Sequence, residues 1–171
     1  THTFDKWLLH KLHYVVEKAT SYLLEHEYCA AKMIIEEFFW KDFCDNYLEL
    51  TKVRAYNQEG VFSQAEQLSV VYTLYNTLNI LLHLFAPIMP HITEEIYTHL
   101  YPGKGSLHAQ GSWPKAQLVP VSEIDYNAGE IGVAVLESIR KVKSEHNLSP
   151  KACLAEVRYH GAEQVTSQLE M

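Results

Sequence analysis

Three potential metal ligands recur within residues 90–101, PHITEEIYTHLY. His91, Glu95 and His99 are four residues apart, so one helix face could carry all three. Three protein ligands and a water are the set that a catalytic zinc requires. Zinc enzymes, however, place two histidines four residues apart with the acid between them, as HExxH. We therefore interpret the segment as a structural helix and predict no metal site.

Two helix starts are compatible with this segment. Thr93 has a side chain suited to an N-cap, and Glu94 and Glu95 would then occupy the first turn, where the positive helix end stabilises carboxylates. His91 would in that case lie outside the helix. Alternatively, Pro90 itself occupies the first turn, where its missing N–H does no harm. The apolar residues that recur every four positions are expected to supply the buried side, namely Ile92, Ile96 and Leu100.

Other catalytic patterns are absent from the sequence. The phosphate-binding motifs GxGxxG and GxxxxGK[ST] do not occur, and no Ser/His/Asp arrangement follows from spacing. The three cysteines, Cys29, Cys44 and Cys153, form no CxxC pair, and their odd number argues against a disulfide framework. We expect them to be small buried side chains of a reduced, cytoplasmic protein, and we predict no catalytic residues.

The segment 39–54, FWKDFCDNYLELTKVR, combines aromatic side chains with cations. Aromatic rings stack on nucleic-acid bases and cations contact phosphates, so the segment is a candidate RNA-binding surface. Trp40 is expected to be at least partly exposed, because one helix cannot point three successive aromatics, residues 38–40, at the same core. A helix with an aromatic core stripe and a solvated polar face remains the alternative. The candidate RNA-binding residues are Trp40, Lys41, Phe43, Lys52 and Arg54.

A second candidate is the most basic segment of the chain, residues 138–151, SIRKVKSEHNLSPK. Arg140, Lys141 and Lys143 are candidate contacts to an RNA backbone, with a solvated helix surface as the alternative. The formal net charge of the chain is −7, whereas nucleic-acid binders are usually basic. An RNA-binding function therefore requires a local basic face.

Apolar periodicity predicts four or five antiparallel helices in these 171 residues. The fold class is mainly α, with an antiparallel helix bundle in residues 1–120 and a small α/β extension in residues 121–171. The third helix, opened by Ser63, is apolar over much of its circumference and is expected to be central. The sequence contains no run of about 18 apolar residues, so no membrane span is predicted. The predicted helices are 4–25 with Thr3 as N-cap, 27–55 with a kink near Trp40, one from Ser63 to Pro87, one ending near Tyr101, and 125–147; SLHAQGSWP is expected to be extended, and a strand is expected after Pro150.

Five segments stand out together: DKWLLHKL (5–12), AAKMIIEEFFWKDFCDNYLELTKVR (30–54), LLHLFAPIMPHITEEIY (81–97), GSWP (111–114) and SIRKVKSEHNLSP (138–150). They occur in the order found in valyl-tRNA synthetases, a family of class I enzymes. The chain resembles the C-terminal anticodon-binding domain of that family over nearly its whole length. APIMPHITEEIY is shared with the wider valine, isoleucine and leucine group, whereas WKDFCDNYLE is closer to the valine enzymes. Asn46 departs from the family pattern, which usually has tryptophan there.

The resemblance implies that the helical bundle docks the anticodon stem-loop of a valine tRNA. The catalytic and editing domains of the family are absent from these residues, so the chain itself is expected to use no cofactor, ATP being consumed by the parent ligase. Its implied partners are tRNA and the remaining domains of that parent, with no membrane. Two alternatives stay open: a non-catalytic helical interaction module without nucleic acid, and the same domain from an isoleucine or leucine enzyme.

Overall fold

The computed structural model describes residues 2–110, 112–115, 121–149, 152 and 156. The chain divides into two compact units, Thr1–Pro120 and Val121–Met171. The first unit contains helices α1 (Thr3–Leu24), α2 (Tyr28–Glu37), a π-helix (Phe38–Leu48), α3 (Glu49–Tyr56), α4 (Gln64–Phe85), α5 (Pro90–Leu100) and α6 (Leu107–Gln110). The second unit contains α7 (Glu123–Glu145).

The mainly helical fold class is confirmed, and the described residues contain no strand. The strand predicted after Pro150 lies almost entirely outside the described residues, and Ala152 and Glu156 have no regular structure. The α/β extension is therefore not supported, and α7 is the regular element described in the second unit.

The long second helix predicted over 27–55 consists of three successive helical segments. The 11 residues Phe38–Leu48, which include Trp40, form a π-helix between α2 and α3. The junction residues Phe38 and Glu49 keep right-handed helical backbone angles, so the three segments run on without a break. The wider i→i+5 hydrogen bonding changes which side chains face inward, which matters for the candidate site.

The core of the first unit lies where α1 packs against α2, the π-helix and α4. Its largest fully buried side chains come from all four of these helices, and they include Trp7, Leu8, Leu12, Ile35, Phe38, Tyr47, Val70 and Leu81. One carboxylate also lies inside this core. Asp5, on the first turn of α1, has no exposed surface, so it requires hydrogen-bonding partners from neighbouring helices.

Helix α4 contacts α1, α2, α3 and α5, yet one of its sides faces solvent. Its inner side buries Val70, Leu81 and Phe85, as expected for a core helix. Its contacts with four helices confirm the predicted central position, while an opposite stripe is exposed, namely Leu68, Val71, Tyr72 and Tyr75. Among the described residues, α4 is also the one helix long and apolar enough to cross a membrane, a property that core helices share.

Helix α5 begins at Pro90, with Met89 as its N-cap. Thr93 lies inside the helix, where its buried Oγ1 donates hydrogen bonds to the carbonyl oxygens of Met89, at 2.9 Å, and Pro90, at 3.1 Å. The prediction of Thr93 as N-cap is therefore wrong, and the alternative with Pro90 in the first turn is confirmed.

The buried side of α5 also differs from the prediction. Thr93 and Tyr97 face inward, and Tyr97 packs in a cluster with Leu82, Tyr101 and Leu107. The aromatic side chains thus occupy the space that the aliphatic stripe was expected to fill. As a result Ile92, Ile96 and Leu100 are exposed.

Local hydrogen bonds fix the other helix ends. Helix α4 starts at Ser63 as predicted, with a capping box in which Ser63 Oγ accepts from the backbone N–H of Glu66 and the Glu66 carboxylate accepts from that of Ser63. The N-cap of α1 is His2 instead of the predicted Thr3, and its Nδ1 accepts from the Phe4 N–H at 3.3 Å. Part of the segment expected to be extended forms the short helix α6.

Candidate nucleic-acid interface

The π-helix separates its aromatic residues into a buried and an exposed set. Phe38, Phe43 and Tyr47 are buried, whereas Trp40 is 61% exposed and Lys41 beside it is exposed. The predicted exposure of Trp40 is therefore confirmed. The Trp40 ring contacts Phe39 edge-on, with centroids 4.9 Å apart, and Phe39 in turn meets Phe85 of α4 at 5.7 Å. The core thus supports an indole that remains accessible from outside.

Two of the candidate RNA-binding residues lie in the interior. Phe43 is 5% exposed and Arg54 is 4% exposed. Neither side chain can reach a base or a phosphate from these positions without a rearrangement of the core. The candidate set is corrected accordingly to Trp40, Lys41 and Lys52 in the first unit. Asn46, where the family pattern usually has tryptophan, is also buried, so this position packs inside the protein.

Arg54 is held by Asp5. Arg54 Nη1 donates to Asp5 Oδ2 at 3.1 Å, and Arg54 Nη2 forms an ion pair with Oδ1 of the same carboxylate. Tyr47 Oη donates to Asp5 Oδ1 at 2.7 Å, and Ser69 Oγ donates to Asp5 Oδ2 at 2.5 Å. Asp5 therefore joins α1, the π-helix, α3 and α4, and its partners offset the cost of burying a charge.

The Tyr47 hydroxyl is a permanent donor within this network. Burial raises its pKa far above the ordinary value of tyrosine, and the negative charge of Asp5 beside it acts in the same direction. Tyr47 therefore stays protonated and continues to donate to Asp5 over the whole physiological pH range. The network is a structural support behind the exposed face of the π-helix.

The exposed charges on this stretch cancel. Lys41 has no ion-pair partner among the described residues, whereas Lys52 Nζ donates to Glu49 three residues earlier. Asp45 and Glu49 are exposed as well, so the two lysines are matched by two carboxylates. A surface of this kind offers an aromatic ring and one unpaired cation, which favours contact with a base over a broad contact with phosphates.

A shallow pocket of about 290 Å³ lies beside Lys52. Tyr56, 72% exposed, lines it at the end of α3, together with residues of the following loop. Asn57 adopts a left-handed backbone angle, φ 44°, and its side chain exchanges two hydrogen bonds with the backbone of Phe62, at 2.8 and 3.0 Å. Sequence reasoning missed this pocket, because no spacing pattern placed Tyr56 and the following loop around one cavity.

The second unit presents its cations at the end of α7. Lys141 is exposed, and Arg140 and Lys143 are partly exposed. Ser122 caps the start of the helix by accepting from the Asp125 N–H at 3.1 Å. At its end, Asn147 adopts a φ of 53° and closes the last turn. The cations therefore lie near the negative end of the helix dipole, which stabilises them.

The remaining reactive side chains show no catalytic arrangement. His91, Glu95 and His99 are exposed on α5, and no group of three or more potential ligands in the described part of the chain could hold a metal. The absence of a metal site stays a prediction. Cys29 is exposed and Cys44 partly exposed, contrary to the expectation of buried cysteines, and Cys153 lies outside the described residues.

Comparisons with known proteins identify a family and a set of relatives. The family model described as "Anticodon-binding domain of tRNA ligase" matches residues 5–158. The chain is similar to the valine–tRNA ligases of Ehrlichia canis (strain Jake), with 48% identity over 88% of the chain and 19% of that protein, and of Wolbachia pipientis wMel, with 47% identity over 87% and 17%. The enzyme of Rickettsia akari (strain Hartford) is 43% identical over 95% of the chain and 20% of its own length. The chain therefore spans about a fifth of the length of the curated relatives it matches.

Proposed function

Because the chain belongs to the family of anticodon-binding domains of tRNA ligases, we propose that it binds the anticodon stem-loop of a valine tRNA. In this proposal the remaining part of a cytoplasmic valine–tRNA ligase performs ATP-dependent aminoacylation. The relatives compared above are all valine–tRNA ligases, which supports the choice of amino acid. The chain itself supplies tRNA recognition and no bond-making step.

The exposed indole of Trp40 is the observation that carries the proposal at the level of the surface. The bases of an anticodon loop are unpaired, so their faces and edges are open to stacking and hydrogen bonding. We assign Trp40 to stacking on a loop base and Lys41 to an adjacent phosphate. The pocket lined by Tyr56 would receive a second base, with Lys52 at its rim.

The cations of α7 would add contacts to the tRNA backbone. Arg140, Lys141 and Lys143 carry three positive charges within four residues. Phosphate contacts position a protein on nucleic acid without reading its sequence, whereas base contacts discriminate. We therefore assign affinity to these residues and discrimination to the surface around Trp40.

Binding of this chain to transcribed tRNAs tests the proposal. Fluorescence anisotropy would compare a valine tRNA, the same tRNA with its anticodon replaced, and isoleucine and leucine tRNAs. We expect the tightest binding for the valine tRNA and weaker binding once the anticodon is changed. Equal binding of the valine tRNA with either anticodon would overturn anticodon recognition, and preference for the isoleucine or leucine tRNA would assign the chain to that enzyme.

A protein-interaction module without nucleic acid is the second candidate, favoured by the net charge of −7 and by the matched charges around Trp40. Such a module would bind none of these tRNAs even at low salt, where phosphate contacts are strongest. Valine-dependent pyrophosphate exchange by the isolated chain is expected to be at background in either case. Activity above background would contradict the assignment of catalysis to the rest of the parent.

A further inference from the structure

Two helix faces of the first unit expose apolar side chains to solvent, although Tyr75 also contacts the buried Tyr101 ring, with centroids 4.9 Å apart. On α5 and the residues just before it, Ile88, Met89, Ile92, Ile96 and Leu100 are exposed. On α4, the outer stripe Leu68, Val71, Tyr72 and Tyr75 lies opposite the side that enters the core. Soluble proteins rarely leave such faces open, and exposed apolar patches mark interaction sites.

The charge of this helix pair disfavours a phosphate backbone as its occupant. No lysine or arginine occurs between residues 55 and 103, which include the whole of α4 and α5, whereas four glutamates do. Lys104, just after α5, lies over the Tyr75 and Tyr101 rings at one edge of the α4 stripe. Nucleic-acid binding depends on cations that neutralise phosphates. The exposed apolar stripes therefore suit a protein surface, while the cations of the chain lie in the segments on either side.

The relatives indicate which protein surface this is. They are about five times as long as this chain, so roughly four-fifths of their length has no counterpart in it. We propose that the outer faces of α4 and α5 dock against this remaining, aminoacylating part of the ligase. The proposal rests on the proposed function, since it takes the chain to work within a valine–tRNA ligase.

Side-chain footprinting tests the docking surface with controls that the chain itself provides. Met89 and Tyr72 report on the two stripes. Tyr28 on α2, whose 62% exposure equals that of Tyr72, is the matched tyrosine control, and Met33 on α2, 69% exposed against 42% for Met89, is the methionine control. Hydroxyl-radical oxidation would be compared between the isolated chain and a full-length ligase in which this chain replaces the matching residues of the Ehrlichia canis enzyme, in each case without tRNA.

We expect Met89 and Tyr72 to oxidise several-fold more slowly in the full-length protein, with Met33 and Tyr28 unchanged. Equal oxidation of Met89 and Tyr72 in both proteins would overturn the inference. Protection of the isolated chain on adding tRNA would also overturn it and would assign the face to RNA. Protection of the isolated chain on raising its concentration would overturn it as well and would assign the face to a second copy. The proposed function fails separately, by loss of tRNA binding or charging while the protection persists.

Discussion

Trp40 offers an exposed indole ring on a rigid support. Replacing Trp40 by Ala removes a ring that is mostly outside the core, so the domain should stay folded. If the ring stacks on an anticodon base, the loss in tRNA binding free energy should be about 1–3 kcal/mol. A binding isotherm beside a thermal melt measures both quantities.

The control for this change is Trp7, which is fully buried in α1. Trp7→Ala should destabilise the domain by about 3–5 kcal/mol, and tRNA binding should fall only through unfolding. A Trp40→Ala variant that melts like Trp7→Ala would show that the ring is part of the core. A variant with unchanged stability and unchanged tRNA affinity would remove Trp40 from the binding surface.

Arg54 is expected to act on stability rather than on tRNA. Arg54→Leu leaves the buried Asp5 carboxylate without its cation, which should cost about 3–5 kcal/mol of unfolding free energy. Lys52→Ala, two residues away, breaks an exposed pair and should cost at most about 1 kcal/mol. Denaturant unfolding of the two variants measures both losses in unfolding free energy. Normal stability of Arg54→Leu combined with weakened tRNA binding would place its guanidinium on the RNA.

In the proposed complex, Glu49 would compete with tRNA for Lys52. Because an exposed ion pair is worth about 0.2–1 kcal/mol, Glu49→Gln should free Lys52 and strengthen tRNA binding by up to a few-fold. The same change at Glu36, which pairs with Lys32 on α2, is the matched control and should have less effect. A decrease in tRNA affinity on Glu49→Gln would mean that Lys52 needs its partner for correct orientation.

Sequence spacing could identify Trp40 but not the role of Arg54. Three successive aromatics cannot share one core, so the exposure of one of them follows from helix geometry alone. The burial of Arg54 depends on Asp5, which is 49 residues earlier in the chain and on another helix. A one-dimensional pattern shows a cation after an aromatic stripe, and it carries no information on a partner so distant.

The π-helix shows why helix faces were predicted less well than helix positions. The buried residues form two rows with a longer repeat than the 3.6 residues of an α-helix: Phe38, Asp42 and Asn46 are four residues apart, and Phe38, Phe43 and Tyr47 are five and four apart. An α-helical wheel therefore places part of this segment on the wrong side. The helix positions themselves follow from local apolar periodicity and turn residues, which the sequence contains directly.

The buried side of α5 differs from the prediction for another reason. Amphipathic analysis assumes that the apolar side of a helix faces the core of the same chain. Ile92, Ile96 and Leu100 form a regular stripe, yet Thr93 and Tyr97 face inward. The assumption fails where a helix has apolar side chains on more than one side, as it would if a second partner lay outside the chain.

Ser63 is the cap of α4 and should contribute to stability through that helix. Ser63→Ala removes the acceptor for the Glu66 N–H and should cost about 0.5–2 kcal/mol of unfolding free energy. Ser112→Ala, at an exposed serine in no helix, should change stability by less than about 0.5 kcal/mol. Chemical denaturation compares the two, and an unchanged value for Ser63→Ala would contradict the capping role.

At the scale of the whole chain, the positively charged side chains are distributed unevenly along the sequence. The net charge is −7, but every lysine and arginine lies outside residues 55–103. Long-range attraction of tRNA by the whole chain is therefore not expected, since the net field repels a polyanion. Binding must instead come from local contacts, and the clustered cations of α7 are the densest local source of positive charge.

The double variant Lys141→Ala/Lys143→Ala tests whether the cations of α7 contact tRNA phosphates. Each phosphate contact releases counterions, so losing both contacts should weaken binding to every tRNA alike and reduce the slope of log affinity against log salt by about 0.7–0.9 per contact. Anisotropy titrations at several salt concentrations measure the slope. Lys18→Ala, at an exposed lysine over the Tyr14 ring on α1, is the control and should leave the slope unchanged.

An unchanged slope in the double variant would exclude Lys141 and Lys143 from phosphate contact. A loss confined to the valine tRNA would assign them to base recognition instead, because phosphates carry no sequence information of their own.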